Sequence, residues 1–97
     1  MHFARAEPEA RELRKKAGSW LKGLRTAAGL SQTDLAGRLG LKYYTFISQV
    51  ENGFGRVPTD TMEAWAAALE TPAPEFARIL LSFYDPELYR LLFEVEP

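Results

Sequence analysis

Thr45, Ser48, Gln49 and Asn52 recur at steps of three and four within "GLKYYTFISQVENG", residues 40–53. At about 100° per residue these four share one side of a helix, with Tyr44 at its border. The opposite side takes Tyr43, Phe46, Ile47, Val50 and Glu51. One side is therefore expected to pack, Tyr43 and Phe46 included. The other presents neutral hydroxyl and amide groups able to donate and accept hydrogen bonds. Catalysis fits the remaining residues poorly. His2 is the only histidine, cysteine is absent, no glycine-rich phosphate loop exists, and no pair of carboxylates stands out as acid and base. The chain is read as a non-enzyme with no cofactor and no metal.

With 97 residues, 46% of them hydrophobic, the chain can fill one small core. No disulfide can stabilise it, so a reducing compartment is compatible, and a cytoplasmic location is expected. No apolar run approaches the roughly 20 residues of a membrane helix, and Met1–Arg5 does not open a secretion signal. The net charge of −1 conceals an asymmetry. Residues 1–42 carry nine basic against four acidic side chains, whereas residues 43–97 carry three against nine. The first part can face phosphates while the acidic second part points elsewhere.

The elements that must position the polar face are all helical. Leu13, Ala17, Trp20, Leu21, Leu24 and Ala28 recur with helical spacing after Pro8, predicting a first helix to Ala28 that Gly29 ends, with Gly18-Ser19 a point of potential break. Ser31 and Asp34 form a reciprocal capping pair that starts a second helix, with Leu35, Ala36 and Leu39 inward and Gly40 as its stop. Residues 43–52 give the third. Thr59 or Asp60 is expected to cap a fourth, with Met62, Trp65, Ala66 and Leu69 in its stripe. Phe76, Ile79, Leu80 and Phe83 predict a fifth helix, and Asp85-Pro86 opens a sixth. No strand is expected.

Two short helices joined by a glycine turn, with helices on either side, make a helix-turn-helix arrangement. "LRTAAGLSQTDLAGRLG", "ISQVENG" and "PTDTMEAWAAAL" together resemble the DNA-binding domain of the phage repressor and Cro family, the Xre-type regulators, over residues 21–69. The resemblance implies an all-α, five- to six-helix lambda-repressor-like domain. It suggests a division into an N-terminal helical extension (1–18), the DNA-binding domain (19–71) and C-terminal helices (72–97). It also implies that helix 3 enters the major groove of double-stranded DNA, with Tyr44, Thr45, Ser48 and Gln49 reading base edges. Gln49 suits adenine N6 and N7, and Thr45 a thymine methyl. Gln32, Lys42, Asn52 and Arg56 fall where phosphates would be gripped. Arg25 and Glu51 match a structural ion pair between helix 1 and the end of helix 3. Three departures stand out. The interval from Gly40 to Gly53 is one residue longer than the resemblance leads one to expect, leaving the first residue of helix 3, and with it Tyr43 and Tyr44, open. Tyr43-Tyr44-Thr45-Phe46 is unusually aromatic for the start of a helix that enters a groove, and helix 3 carries no lysine or arginine.

Helices 5 and 6 hold more apolar side chains than such a domain needs. One use for the surplus is a two-fold dimer interface through Phe83, Tyr84, Leu88 and Leu92; the other is a sixth helix folded back on the same core. The sequence thus predicts a homodimeric transcriptional regulator, a repressor or autoregulator acting on a palindromic operator. An antitoxin or adaptor whose C-terminal helices bind another protein is the alternative.

Overall fold

A computed structural model describes residues 7–96. Its six α-helices are α1 (Glu7–Ala27), α2 (Gln32–Arg38), α3 (Thr45–Glu51), α4 (Met62–Ala68), α5 (Ala73–Tyr84) and α6 (Pro86–Phe93), and the described residues contain no strand. His2 and the rest of the first six residues lie outside this range, as does Pro97.

The predicted stripes meet in one core. Leu21 of α1, Leu35 of α2, Ile47 and Val50 of α3, Trp65 of α4, and Phe76 and Leu80 of α5 are almost wholly buried. Each such side chain contributes about 1.5–3 kcal/mol. Phe46 and Trp65 meet edge to face, and Trp20 lies against Phe76. The capping pair forms as expected: the Asp34 amide donates to Ser31 Oγ and the Ser31 amide to Asp34 Oδ2, each at 2.9 Å. Those bonds from Ser31 hold the Asp34 carboxyl below its ordinary range.

α2 ends where the Gly40 amide reaches the Gly37 carbonyl and the Leu41 amide the Ala36 carbonyl, which requires the left-handed backbone seen at Gly40 (φ 72). The same bond pattern closes α4, with Glu70 (φ 57) in the glycine position.

Three sequence expectations are corrected. Gly18-Ser19 does not break α1, which runs unbroken to Ala27. A Cβ on Gly18 would lie 2.2 Å from the Glu51 carbonyl oxygen, so the missing side chain serves a close crossing of α1 and α3. Neither Thr59 nor Asp60 caps α4; residues Thr59–Thr61 form a single 3-10 turn, and α4 starts at Met62 without a side-chain cap. α3 starts at Thr45, so Tyr43 is left in the turn and is 66% exposed rather than packed. Lying in the turn between α2 and α3, Tyr43 is held away from the core, while Phe46 keeps its inward place.

Candidate nucleic-acid interface

Two independent constraints orient α3. Its apolar side is seated by Ile47 and Val50, both fully buried. Its end is fixed by Glu51, whose side chain is 3% exposed against 9% for Arg25. Arg25 Nε donates to Glu51 Oε2 at 2.6 Å and Nη2 to Oε1 at 3.0 Å, a bidentate fork. The remaining arm, Nη1, donates to the Leu30 carbonyl at 2.8 Å. Glu51 Oε1 accepts a further bond from Gln32 Nε2 at 3.0 Å. The Arg25–Glu51 pair thus ties α1, the following loop, α2 and α3 together. The bond to Glu51 raises the Arg25 pKa against the opposing effect of burial. Buried charges need this degree of satisfaction, because an unpaired one costs several kcal/mol.

With the apolar side committed, Tyr44, Thr45 and Gln49 stand exposed on the outer side of α3 and its entry, and Ser48 is half-buried between them. Asn52 Nδ2 donates to the Ser48 carbonyl at 2.9 Å and lies 3.4 Å from the Ser48 hydroxyl, so Asn52 also steadies the end of the helix. Lys42 is exposed in the turn with its ammonium 5.4 Å from the centre of the Tyr43 ring. Gln32 is turned towards Glu51, which leaves its carbonyl and one N–H for a second partner. Arg56 lies farther along the chain, its guanidinium 4.5 Å from the centre of the Tyr84 ring.

The N-terminal half of α1 also braces this surface, a role the sequence reading missed. Arg14 Nε donates to the Gly53 carbonyl at 3.2 Å, and the Arg11 guanidinium lies 3.8 Å from the centre of the Phe54 ring. Gly53 (φ 81) packs so close to Lys15 that a Cβ would meet its backbone nitrogen at 2.8 Å. The available signal was spacing: Arg14, Gly18, Leu21 and Arg25 follow steps of three and four on one face of α1.

The four residues expected at a dimer interface separate into two pairs. Phe83 and Tyr84 pack against the core, and the Tyr84 hydroxyl accepts from the Val57 amide at 3.1 Å. Burial raises the Tyr84 pKa. Leu88 and Leu92 are exposed and, with Leu91, form a stripe on α6, and Val95 just beyond it is exposed as well.

Among the described residues no helix is long and apolar enough to cross a membrane, and no group of His, Cys, Asp or Glu could hold a metal ion. A family model described as a helix-turn-helix domain matches residues 9–79, from the first turn of α1 to the middle of α5. No curated protein matches the chain.

Proposed function

The chain belongs to the helix-turn-helix domain family, and from that premise we propose that it is a sequence-specific DNA-binding transcriptional regulator of the Xre type, acting by binding rather than catalysis. The observation that carries the reading is α3: its buried side is fixed by Ile47, Val50 and the Arg25–Glu51 pair, while Thr45 and Gln49 are left outward beside Tyr44. A helix held in this way can enter a major groove without rearrangement. Gln49 offers one donor and one acceptor to adenine, Thr45 a methyl and a hydroxyl, and Ser48 and Tyr44 complete the base-facing set. Gln32, Lys42, Asn52 and Arg56 hold phosphates on either side.

The exposed α6 stripe of Leu88, Leu91 and Leu92 supports a two-fold dimer, which would place two copies of α3 about 34 Å apart on one face of a palindromic operator. Repression or autoregulation in the cytoplasm follows as the simplest use of such a dimer. The same stripe supports a second reading, an antitoxin or adaptor that binds a protein through α6.

A DNA selection followed by salt titration tests the first reading. A palindromic site is expected, with affinity falling steeply as salt rises because bound phosphates release counterions. Gln49→Ala should relax the preferred base at one position of each half-site by about 1–3 kcal/mol of discrimination and leave nonspecific binding nearly intact. Arg56→Ala should weaken all sequences alike. Equal losses on every sequence for both variants remove base reading from α3. Failure to select any site, together with a stable protein complex broken by Leu92→Lys, favours the second reading.

A further inference from the structure

The acidic half of the chain contains three cations, Arg56, Arg78 and Arg90. Arg90 is paired with Glu87 one turn away on α6. Arg56 and Arg78 make no ion pair with any described residue, although nine carboxylates lie in the same half. Both line a single cleft of about 310 Å³ between the loop before α4 and helices α4, α5 and α6. Its walls are largely apolar and include Met62, Leu81 and Phe93. The Arg56 guanidinium lies over the ring of Tyr84, and Arg78 Nη1 donates to the Tyr89 hydroxyl at 3.2 Å.

These contacts orient the two guanidiniums without neutralising them. A ring face and a phenol leave most of their N–H donors unused, and a guanidinium is shaped to bind a carboxylate through two parallel bonds. A cation would be repelled here, an inorganic anion would leave the apolar walls wet, and a neutral hydrocarbon would leave both charges unanswered. The cleft is of the size that holds a small organic ligand. We propose that it binds a small apolar carboxylic acid, with the tail against Met62, Leu81 and Phe93 and the carboxylate held by Arg56 and Arg78.

Arg56 gives the site a regulatory consequence, which rests on the DNA-binding reading above. It belongs to the loop that follows α3 and is one of the cations assigned to phosphate. A carboxylate that engages Arg56 withdraws it from DNA, so acid and operator compete.

Calorimetric titration of the free protein with octanoate, with octanol as the uncharged counterpart, tests the site without any DNA. Saturable octanoate binding is expected. It should fall about tenfold or more in Arg78→Gln, the scale of a hydrogen bond to a charged group, and be unchanged in Arg90→Gln. Octanol should bind at least about tenfold more weakly than octanoate by the same reasoning. No saturable binding, equal binding of acid and alcohol, or equal binding by Arg78→Gln and the wild type overturns the proposal. Binding that appears only after Glu94→Gln and Glu96→Gln are combined assigns the arginines to the chain's own acidic end and also overturns it. In a second arm, octanoate should weaken operator binding by the wild type but not by Arg56→Gln. Octanoate binding with operator affinity unmoved rejects the competition, whereas loss of all DNA binding with octanoate binding intact rejects the regulator and keeps the site.

Discussion

α3 spans seven residues and α6 eight, and both are amphipathic. α3 buries Ile47, Val50 and Glu51, receives a guanidinium fork from α1 and an amide from α2, and turns small polar groups outward. α6 has no buried residue, packs mainly on α5, and turns Leu88, Leu91, Leu92 and Phe93 outward at 42–60% exposure. The first helix is complete within one copy of the chain, and its free side can remain hydrated until a polar partner arrives. The second leaves apolar surface in water, which burial against another macromolecule or a second copy would relieve. Two helices of similar length thus leave different surfaces in water, one polar and one apolar, and the difference lies in which side the rest of the molecule covers.

The largest expected effect removes the charge that holds α3. Glu51→Ala leaves Arg25 buried without its carboxylate and should cost about 3–5 kcal/mol in urea denaturation. A loss under about 1 kcal/mol would mean that the pair behaves as a solvent-exposed one and that α3 is held no more firmly than α6. Gly18→Ala is next. The added methyl meets backbone at the α1–α3 crossing and should destabilise by about 1–3 kcal/mol, with NMR shifts concentrated at residues 50–53. Unchanged stability would place the two helices farther apart.

On the other side of the comparison, Leu92→Lys should change monomer stability by no more than about 0.5 kcal/mol at concentrations where the wild type is monomeric. Sedimentation at higher concentration should show the dimer lost. A stability loss as large as that of Glu51→Ala would make α6 part of the core and close the contrast.

The smallest effect concerns acid. The Asp34 carboxyl titrates below its unfolded value because Ser31 donates to it. Its contribution is therefore whole above the unfolded pKa and is lost as pH falls through the lowered folded one. Asp34→Asn should lower stability slightly at neutral pH, and its difference from the wild type should close in a stability-against-pH series as pH falls through the lowered folded pKa. An unaltered slope would mean that α2 does not depend on its cap.

Local rules account for a good deal of the fold. The Ser31–Asp34 cap, the glycine stops and the helical stripes are interactions within a few residues, so spacing reveals them. The pairing of Arg25 with Glu51 is not local; family resemblance supplied it, because no spacing rule links residues 26 apart. The errors fell where a neighbouring helix decides the outcome. Gly18 looks like a breaker within its own segment and becomes a point of close approach once α3 crosses it. Tyr43 fits the apolar side of an ideal helix and is lost from it because α3 starts only at Thr45, leaving Tyr43 in the turn.

The sequence by itself determined six amphipathic helices, their main stops, and a polar side on the third, since each follows from periodicity and short-range hydrogen bonding. Only the tertiary structure decided that Tyr84 is satisfied inward by Val57 while Leu88 and Leu92 remain outside, and that Arg56 and Arg78 line one cleft. These facts depend on how α4, α5, α6 and the loop before α4 meet in space, and hydrophobic periodicity specifies the side of a helix that is buried without specifying what buries it.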